Sequence, residues 1–266
     1  MVHLLIAAAL AAAPVNAPPA SADAEPAMFV VRDADTTIYL FGTFHALDAK
    51  TQWFNRQVSD AFENSNELVL ETLIPEGPAI PGQPGLPIRA PSVTPSASFL
   101  ATTRMAINAG QSQGMQVGNG ADMVLRHLAE AEGKPVEGLE TLEFQLNMFN
   151  SMPAAAAPAP ANPQAGTPAP TPPMESLSKT MSAMQSAWKR GDQSVFVRML
   201  DQLRQNSPDT YRMMFTERNA RWADWIAARM RTPGTVFVAV GAGHLAGKDS
   251  LLVRLAEKGI GSSRVD

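Results

Sequence analysis

Thr36-Thr37-Ile38-Tyr39-Leu40-Phe41-Gly42-Thr43-Phe44-His45 runs from an apolar, aromatic stretch into a glycine and, three residues on, a histidine. A short apolar run closed by a turn residue reads as a buried strand, here Thr36 to Phe41. From about Gln52 to Asn64, Phe54, Val58, Ala61 and Phe62 stand at i, i+4, i+7 and i+8, the stripe of an amphipathic helix. Glu67-Leu68-Val69-Leu70-Glu71 is then a second strand. Two strands joined through a helix run parallel with a right-handed crossover. This predicts a mixed α/β fold with a central, mostly parallel sheet flanked by helices. It also sets His45 and Glu71 at the same carboxyl-terminal edge, where open α/β sheets gather their chemistry.

The frame recurs. Val236-Phe237-Val238-Ala239-Val240 leads into Gly241-Ala242-Gly243-His244, again strand, glycine turn and imidazole, in a chain with 4 histidines. Between the two frames, a helix near Ala121 to Glu132 ends at Gly133-Lys134. A short strand, Pro135 to Gly138, then leads into Leu139-Glu140-Thr141. Further helices read at about 175–190, at 192–205 with Asp192 as cap, and from Ser207-Pro208 to about Met230. A closing helix follows near 249–258. Alternation of this kind favours an α/β fold over a helical bundle.

Proline is concentrated. Of 22 prolines, seven lie between Pro75 and Pro95 and eight between Pro153 and Pro173. A residue without a backbone N–H cannot join a sheet or a helix interior. Two insertions are expected, at about 74–97 and 151–174, interrupting one domain that spans residues 28–266. A tolerated surface insertion and a flap over a cleft are both open readings.

A net charge of −4 and the lack of any Lys/Arg cluster argue against a nucleic-acid partner. With no cysteine, thiolate ligands, cysteine nucleophiles and disulfides are excluded. Leu4 to Ala13 has the length of a signal-peptide core and is too short to span a bilayer. Small-residue frames at Val15-Asn16-Ala17 and Ala20-Ser21-Ala22 offer cleavage points. Residues 1–22 are therefore read as a signal peptide of a periplasmic or secreted protein, with no stable membrane insertion.

His45 and His244 are candidate metal ligands or bases, because loops after strands face the cleft rather than the core. Glu71 closes an apolar strand, where a carboxylate needs a metal, a hydrogen bond or a nearby arginine. Two imidazoles and a carboxylate make an open three-ligand site for Zn²⁺, Mn²⁺, Co²⁺ or Fe²⁺. Glu140 follows a strand and reads as a ligand, a base or a supporting carboxylate. Glu143 shares a helical face with it if a helix begins there. Arg218 falls inside the apolar stripe Tyr211, Met214, Phe215, Trp222, Trp225, Ile226, with Asn219 beside it. An inward arginine must meet a carboxylate or an anionic group of the substrate; the alternative is a packed stem with an outward head. His127 reads as a surface residue, and His3 lies in the signal.

Tyr39-Leu40-Phe41-Gly42-Thr43-Phe44-His45, Leu68-Val69-Leu70-Glu71, Gly138-Leu139-Glu140-Thr141, Glu217-Arg218-Asn219 and Val238 through Leu245 with Gly247 together resemble the TraB/GumN family. That family lies in the superfamily of the Tiki metalloproteases. The resemblance implies a mixed α/β domain of two pseudo-symmetric halves. It also implies peptide or amide hydrolysis with a divalent ion (Mn, Co or Zn) on His45, Glu71 and His244. Glu140 would then be base or ligand, and Arg218 a clamp for a peptide or other small substrate. The alternatives are a non-catalytic periplasmic binding protein for a metal chelate or polysaccharide-linked ligand, and a metal-independent hydrolase like the erythromycin esterases.

Overall fold

The computed structural model describes residues 24–74, 97–152 and 174–265. The amino-terminal apolar run and the prolines of both insertions fall outside these residues. The first strand, β1 (Met28–Arg32), pairs antiparallel with β2 (Thr36–Thr43) through a turn in which Asp33 accepts the Thr36 N–H. β1 is not among the strands expected from the sequence. After β2 come the two-residue β3 (Leu47–Asp48) and α1 (Arg56–Glu63). That helix starts later than its apolar stripe suggests. Trp53 and Phe54 are core residues ahead of it, and Asn55 caps it by accepting the Val58 N–H.

Next are β4 (Glu67–Thr72), α2 (Ala97–Gln111), β5 (Met115–Gln116), α3 (Ala121–Ala131) and β6 (Val136–Glu140). Thr141 caps α4 (Leu142–Ser151) by accepting the Phe144 N–H. That cap assigns Glu140 to the strand and Glu143, which is exposed, to the helix, so the two acids share no helical face. There follow α5 (Met174–Lys189) and α6 (Ser194–Asn206). The residue at the α6 cap is Gln193, although Asp192 accepts the Ser194 N–H.

The expected long helix from residue 208 is not continuous. It consists of α7 (Pro208–Tyr211), a π-helical turn (Arg212–Thr216) and α8 (Glu217–Arg229). Such turns insert an extra residue into a helix, often next to a functional group. Here Arg218 and Asn219 come directly after it. The chain ends with β7 (Gly234–Gly241), α9 (Leu251–Glu257) and β8 (Ser263–Arg264).

The main sheet has the order β6-β4-β7-β2-β1-β8. β6, β4, β7 and β2 are parallel, while β1 and β8 add an antiparallel flank. The fold is thus mixed α/β, a mostly parallel sheet flanked by helices. β2 and β4 are parallel, as their helical connection requires, yet they do not touch. β7, from late in the chain, lies between them.

Alternation along the central strands sends Phe41, Leu68, Leu70 and Phe237 to one face and Leu40, Val69, Val236 and Val238 to the other. α1, α3, α5 and α6 cover the first face; at its centre Phe41 stacks on Trp53 and lies edge-on to Trp188, and Phe62 lies edge-on to Phe237. α8 and α9 cover the second with Trp222, Ile226, Leu251 and Leu255. With both faces covered, the strand ends are the part of the sheet left for chemistry. No helix among the described residues is long and apolar enough to cross a membrane.

Candidate active site

The strand order places the candidate residues in a row along one edge. Glu140 ends β6, Glu71 lies near the end of β4, His244 follows β7 and His45 follows β2. Thr43 is registered with Gly241, so the two Gly-x-x-His frames sit side by side, offset by one residue.

Arg218 joins the row from α8. Its side chain is 4% exposed, which settles the choice between an inward and an outward head. Nε donates to both oxygens of Glu140, at 3.1 and 2.9 Å, and Nη2 donates to Glu71 Oε2 at 2.8 Å. Nη1 lies 3.2 Å from His244 Nε2, and the guanidinium stacks over Trp222 at 4.6 Å. Glu140 also accepts from Arg221, which is half exposed and lies over the Phe144 ring. The arginine partner that Glu71 could have had from sequence alone is therefore Arg218.

The protonation of His244 follows from its neighbours. Asn219 donates its Nδ2 to the Asp249 carbonyl at 2.8 Å, which turns its Oδ1 toward His244 Nδ1, 2.6 Å away. Nδ1 must carry the proton, and Nε2 accepts from Arg218, which has no acceptor to offer. Burial, aided by the charges of Arg218 and His45 and opposed by Glu71, lowers the His244 pKa to about 3. Burial alone would raise the Glu71 carboxyl. His244, Arg218, His45 and the Gly241 N–H reverse that and hold it at about 2. With His244 neutral, Arg218 and His45 supply the positive charge beside Glu71.

His45 differs from its counterpart. Its side chain is 60% exposed, and Nδ1 lies 3.2 Å from Asp122 Oδ1 at the start of α3. Surrounding protein opposes a charge on this ring. The Asp122 carboxylate, by charge and hydrogen bond, outweighs that opposition with help from Glu71 and against Arg218, so the pKa is raised.

Gly241 shows how near the groups are. A Cβ built there would lie 3.1 Å from both Glu71 Oε1 and His45 Nε2, so those two atoms are no more than twice that distance apart. Its N–H also donates to Glu71 Oε1. Alanine suits the backbone at φ −52° and ψ 136°, so crowding of the site is the only cost. Gly241→Ala is expected to change the unfolding free energy by less than about 1 kcal/mol. It should still lower any activity of the site by at least roughly tenfold, since misplacement of about 1 Å can cost 10²-fold. Denaturant unfolding beside a turnover or ligand-binding assay tests this. Parallel losses in both would mean that Gly241 serves the fold alone.

As placed, no three His, Asp or Glu side chains among the described residues form a ready metal cage. Their chemistry nonetheless suits an ion. Glu71 Oε1 and His244 Nε2 are both acceptors and stand 3.6 Å apart. That is close to the edge, about 3.4 Å, of a tetrahedron whose corners lie about 2.1 Å from a central metal. Both imidazoles have Nδ1 committed to a carboxyl or amide oxygen, the arrangement that orients metal-ligating histidines. Against it, Arg218 Nη1 engages the His244 lone pair and must release it for an ion to bind there.

Sequence reading missed Asp122, which looks like an ordinary first-turn helix acid, and the task of Asn219. Only tertiary contact brings either to an imidazole. His127 is exposed, as expected. A small cavity lined by Ala27, Gly42, Trp188, Gln193 and Leu245 contains none of the five candidate residues in its wall.

The TraB/PrgY/gumN family model matches residues 27–84 and 80–264. No curated protein and no solved structure matches the chain. The family match takes in both Gly-x-x-His frames, the four parallel strands and the helix bearing Arg218, and the chain belongs to the TraB/PrgY/gumN family.

Proposed function

We propose that this chain is an exported metal-dependent hydrolase of peptide or amide bonds, its divalent ion (Mn²⁺, Co²⁺ or Zn²⁺) held by His45, Glu71 and His244. The observation that carries the reading is the facing pair of acceptors, Glu71 Oε1 and His244 Nε2, with His45 Nε2 nearby. A bound divalent ion acidifies a water and polarises a carbonyl. The protein's share is positioning. Asn219 keeps the His244 proton on Nδ1, so Nε2 carries a lone pair that an ion would take over from Arg218, and the Gly241 N–H fixes Glu71 Oε1. Arg218 holds the other Glu71 oxygen and, through a second N–H on Nη2, can meet charge developing on a carbonyl oxygen. Both Glu140 oxygens are taken by arginines, so Glu140 acts by anchoring Arg218 rather than by moving a proton. Export to the periplasm or beyond rests on the apolar run Leu4 to Ala13 and the cleavage frames after it.

A second reading has its own observation. The exposure of His45 and its contact with Asp122 support a general base in a hydrolase that uses no metal. Peptidase assays with chelator, with metal restored and with His45→Ala separate the readings. The first expects activity that chelator abolishes, Mn²⁺, Co²⁺ or Zn²⁺ restores, and His45→Ala lacks. Activity that survives chelation but not His45→Ala favours the second. An inactive protein that still binds a metal chelate or polysaccharide-linked ligand would make it a binding protein and overturn both.

A further inference from the structure

Four contacts converge on the His45 loop from one short segment, Met115 to Asp122. The Ala121 N–H donates to the Phe44 carbonyl at 3.0 Å. The Asp122 carboxylate meets His45 Nδ1. Just beyond the histidine, β3 pairs with β5, Leu47 opposite Gln116 and Asp48 opposite Met115, tying the far side of the loop to the same segment. The fourth contact is at Gly120, whose φ of −57° and ψ of 145° are open to any residue. Glycine is needed there for room. An added Cβ would lie 2.7 Å from the His45 carbonyl carbon and closer still to its oxygen. The backbone of the histidine is seated on a surface that only a missing side chain provides.

We propose that Gly120 and Asp122 are positioning residues for His45, Gly120 setting the place of its peptide and Asp122 the direction and tautomer of its ring. A carboxylate is only an acceptor, so a neutral His45 must present its proton at Nδ1 to Asp122. Nε2 is then left as a bare lone pair on the side of Glu71 Oε1 and Gly241. The same lone pair serves a metal ligand or a general base, so the assignment holds under either reading of the site. Its effect on turnover rests on the proposal that His45 is used there. Asp122 has a counterpart in Asn219, which does the same for His244 with a neutral amide. The two histidines thus share a tautomer and differ in the charge behind them.

The test uses the full chain carrying Asp122→Asn, Asp122→Ala or Gly120→Ala. Nitrogen-15 NMR of the imidazoles, on the alkaline side of the His45 titration, reads the tautomer directly. Wild type should show His45 as Nδ1–H. Asp122→Asn, able to turn an N–H toward the ring, should shift the population toward Nε2–H, and Asp122→Ala should leave a mixture. Gly120→Ala should move the His45 backbone resonances while leaving those of β7 in place. Zn²⁺ affinity, by calorimetry, should fall 10–100-fold in the Asp122 variants, as for other residues that orient a ligating histidine, with the denaturation midpoint little changed. An unaltered His45 tautomer in both Asp122 variants would overturn the assignment. Wild-type protein that fails to bind Zn²⁺ would count against the metal reading, and the NMR result would still decide the role of Asp122.

Discussion

Arg218→Ala should cost about 3–5 kcal/mol of unfolding free energy, the usual penalty for stripping the partner from a buried charge. The Glu140 carboxylate is 3% exposed and that of Glu71 14%, and both take their principal cation from this one side chain. Arg218→Lys keeps the charge and loses the fork. One ammonium cannot reach Glu140, Glu71 and His244 together, so at least one buried acceptor goes without its donor, at about 1–3 kcal/mol. Activity should fall far more than stability in the lysine variant, because Glu71 and His244 are then no longer held by one rigid group. Urea unfolding of both variants, with Glu140→Gln added to Arg218→Ala, checks the origin of the effect. The double variant should recover part of the loss, since it removes one of the stranded charges. An alanine variant as stable and as active as wild type would remove Arg218 from the account of this site.

Stability should fall from neutral pH toward acid in two overlapping stages. His244 has a folded pKa of about 3 against 6.5 for the free ring, so the unfolded chain takes up its proton first. Its contribution is whole above about pH 6.5 and is lost as the pH drops through about 3. Glu71, at about 2 against 4.5, contributes fully above about pH 4.5 and loses that as the pH drops through about 2. Each group in its window gives a slope of up to about 1.4 kcal/mol per pH unit. His45 works with the opposite sign. Its raised pKa stabilises below 6.5 and that gain fades on the alkaline side, weakly, because water screens the exposed ring. Denaturant midpoints measured across this range should flatten between about pH 6.5 and 4.5 in His244→Gln. A wild-type curve level from pH 7 to 5 would show that His244 is not held neutral by folding.

Local pattern carried much of this. Apolar runs ending in Gly-x-x-His mark β2 and β7, and the stripe on residues 211–226 places Arg218 inward in spite of the π-helical turn. A spacing of four residues, as from Tyr211 to Phe215, suits a π turn as well as an α turn, so the turn leaves no trace in the pattern. The apolar run Met28 to Val31 carries the signal for β1 as well. The position of β7 between β2 and β4 was not readable, because strand order is decided by contacts distant along the chain. Neither the role of Asp122 nor the choice among the readings of Glu140 is legible in the sequence, for a related reason. A helix-start acid and a strand-end acid look ordinary until their partners are known, and those partners lie in other elements.

The central place of β7 also bears on when the protein can fold. The Thr36 hydroxyl bonds to the Thr232 carbonyl, 196 residues away, and every pairing of β2 with β7 closes a loop of similar length. Such pairings are slow to form, because the entropy of closure is lost before any contact repays it. β7 emerges from the ribosome after all other strands but β8. Until then β2 and β4 each have an open edge where the sheet will later be continuous, the kind of edge that templates aggregation. Glu71 and His45 likewise wait for Gly241 and His244. A nascent chain that stops short of β7 has His45, Glu71, Glu140 and Arg218 but neither His244 nor the Gly241 N–H, so the site is complete only once β7 has joined the sheet.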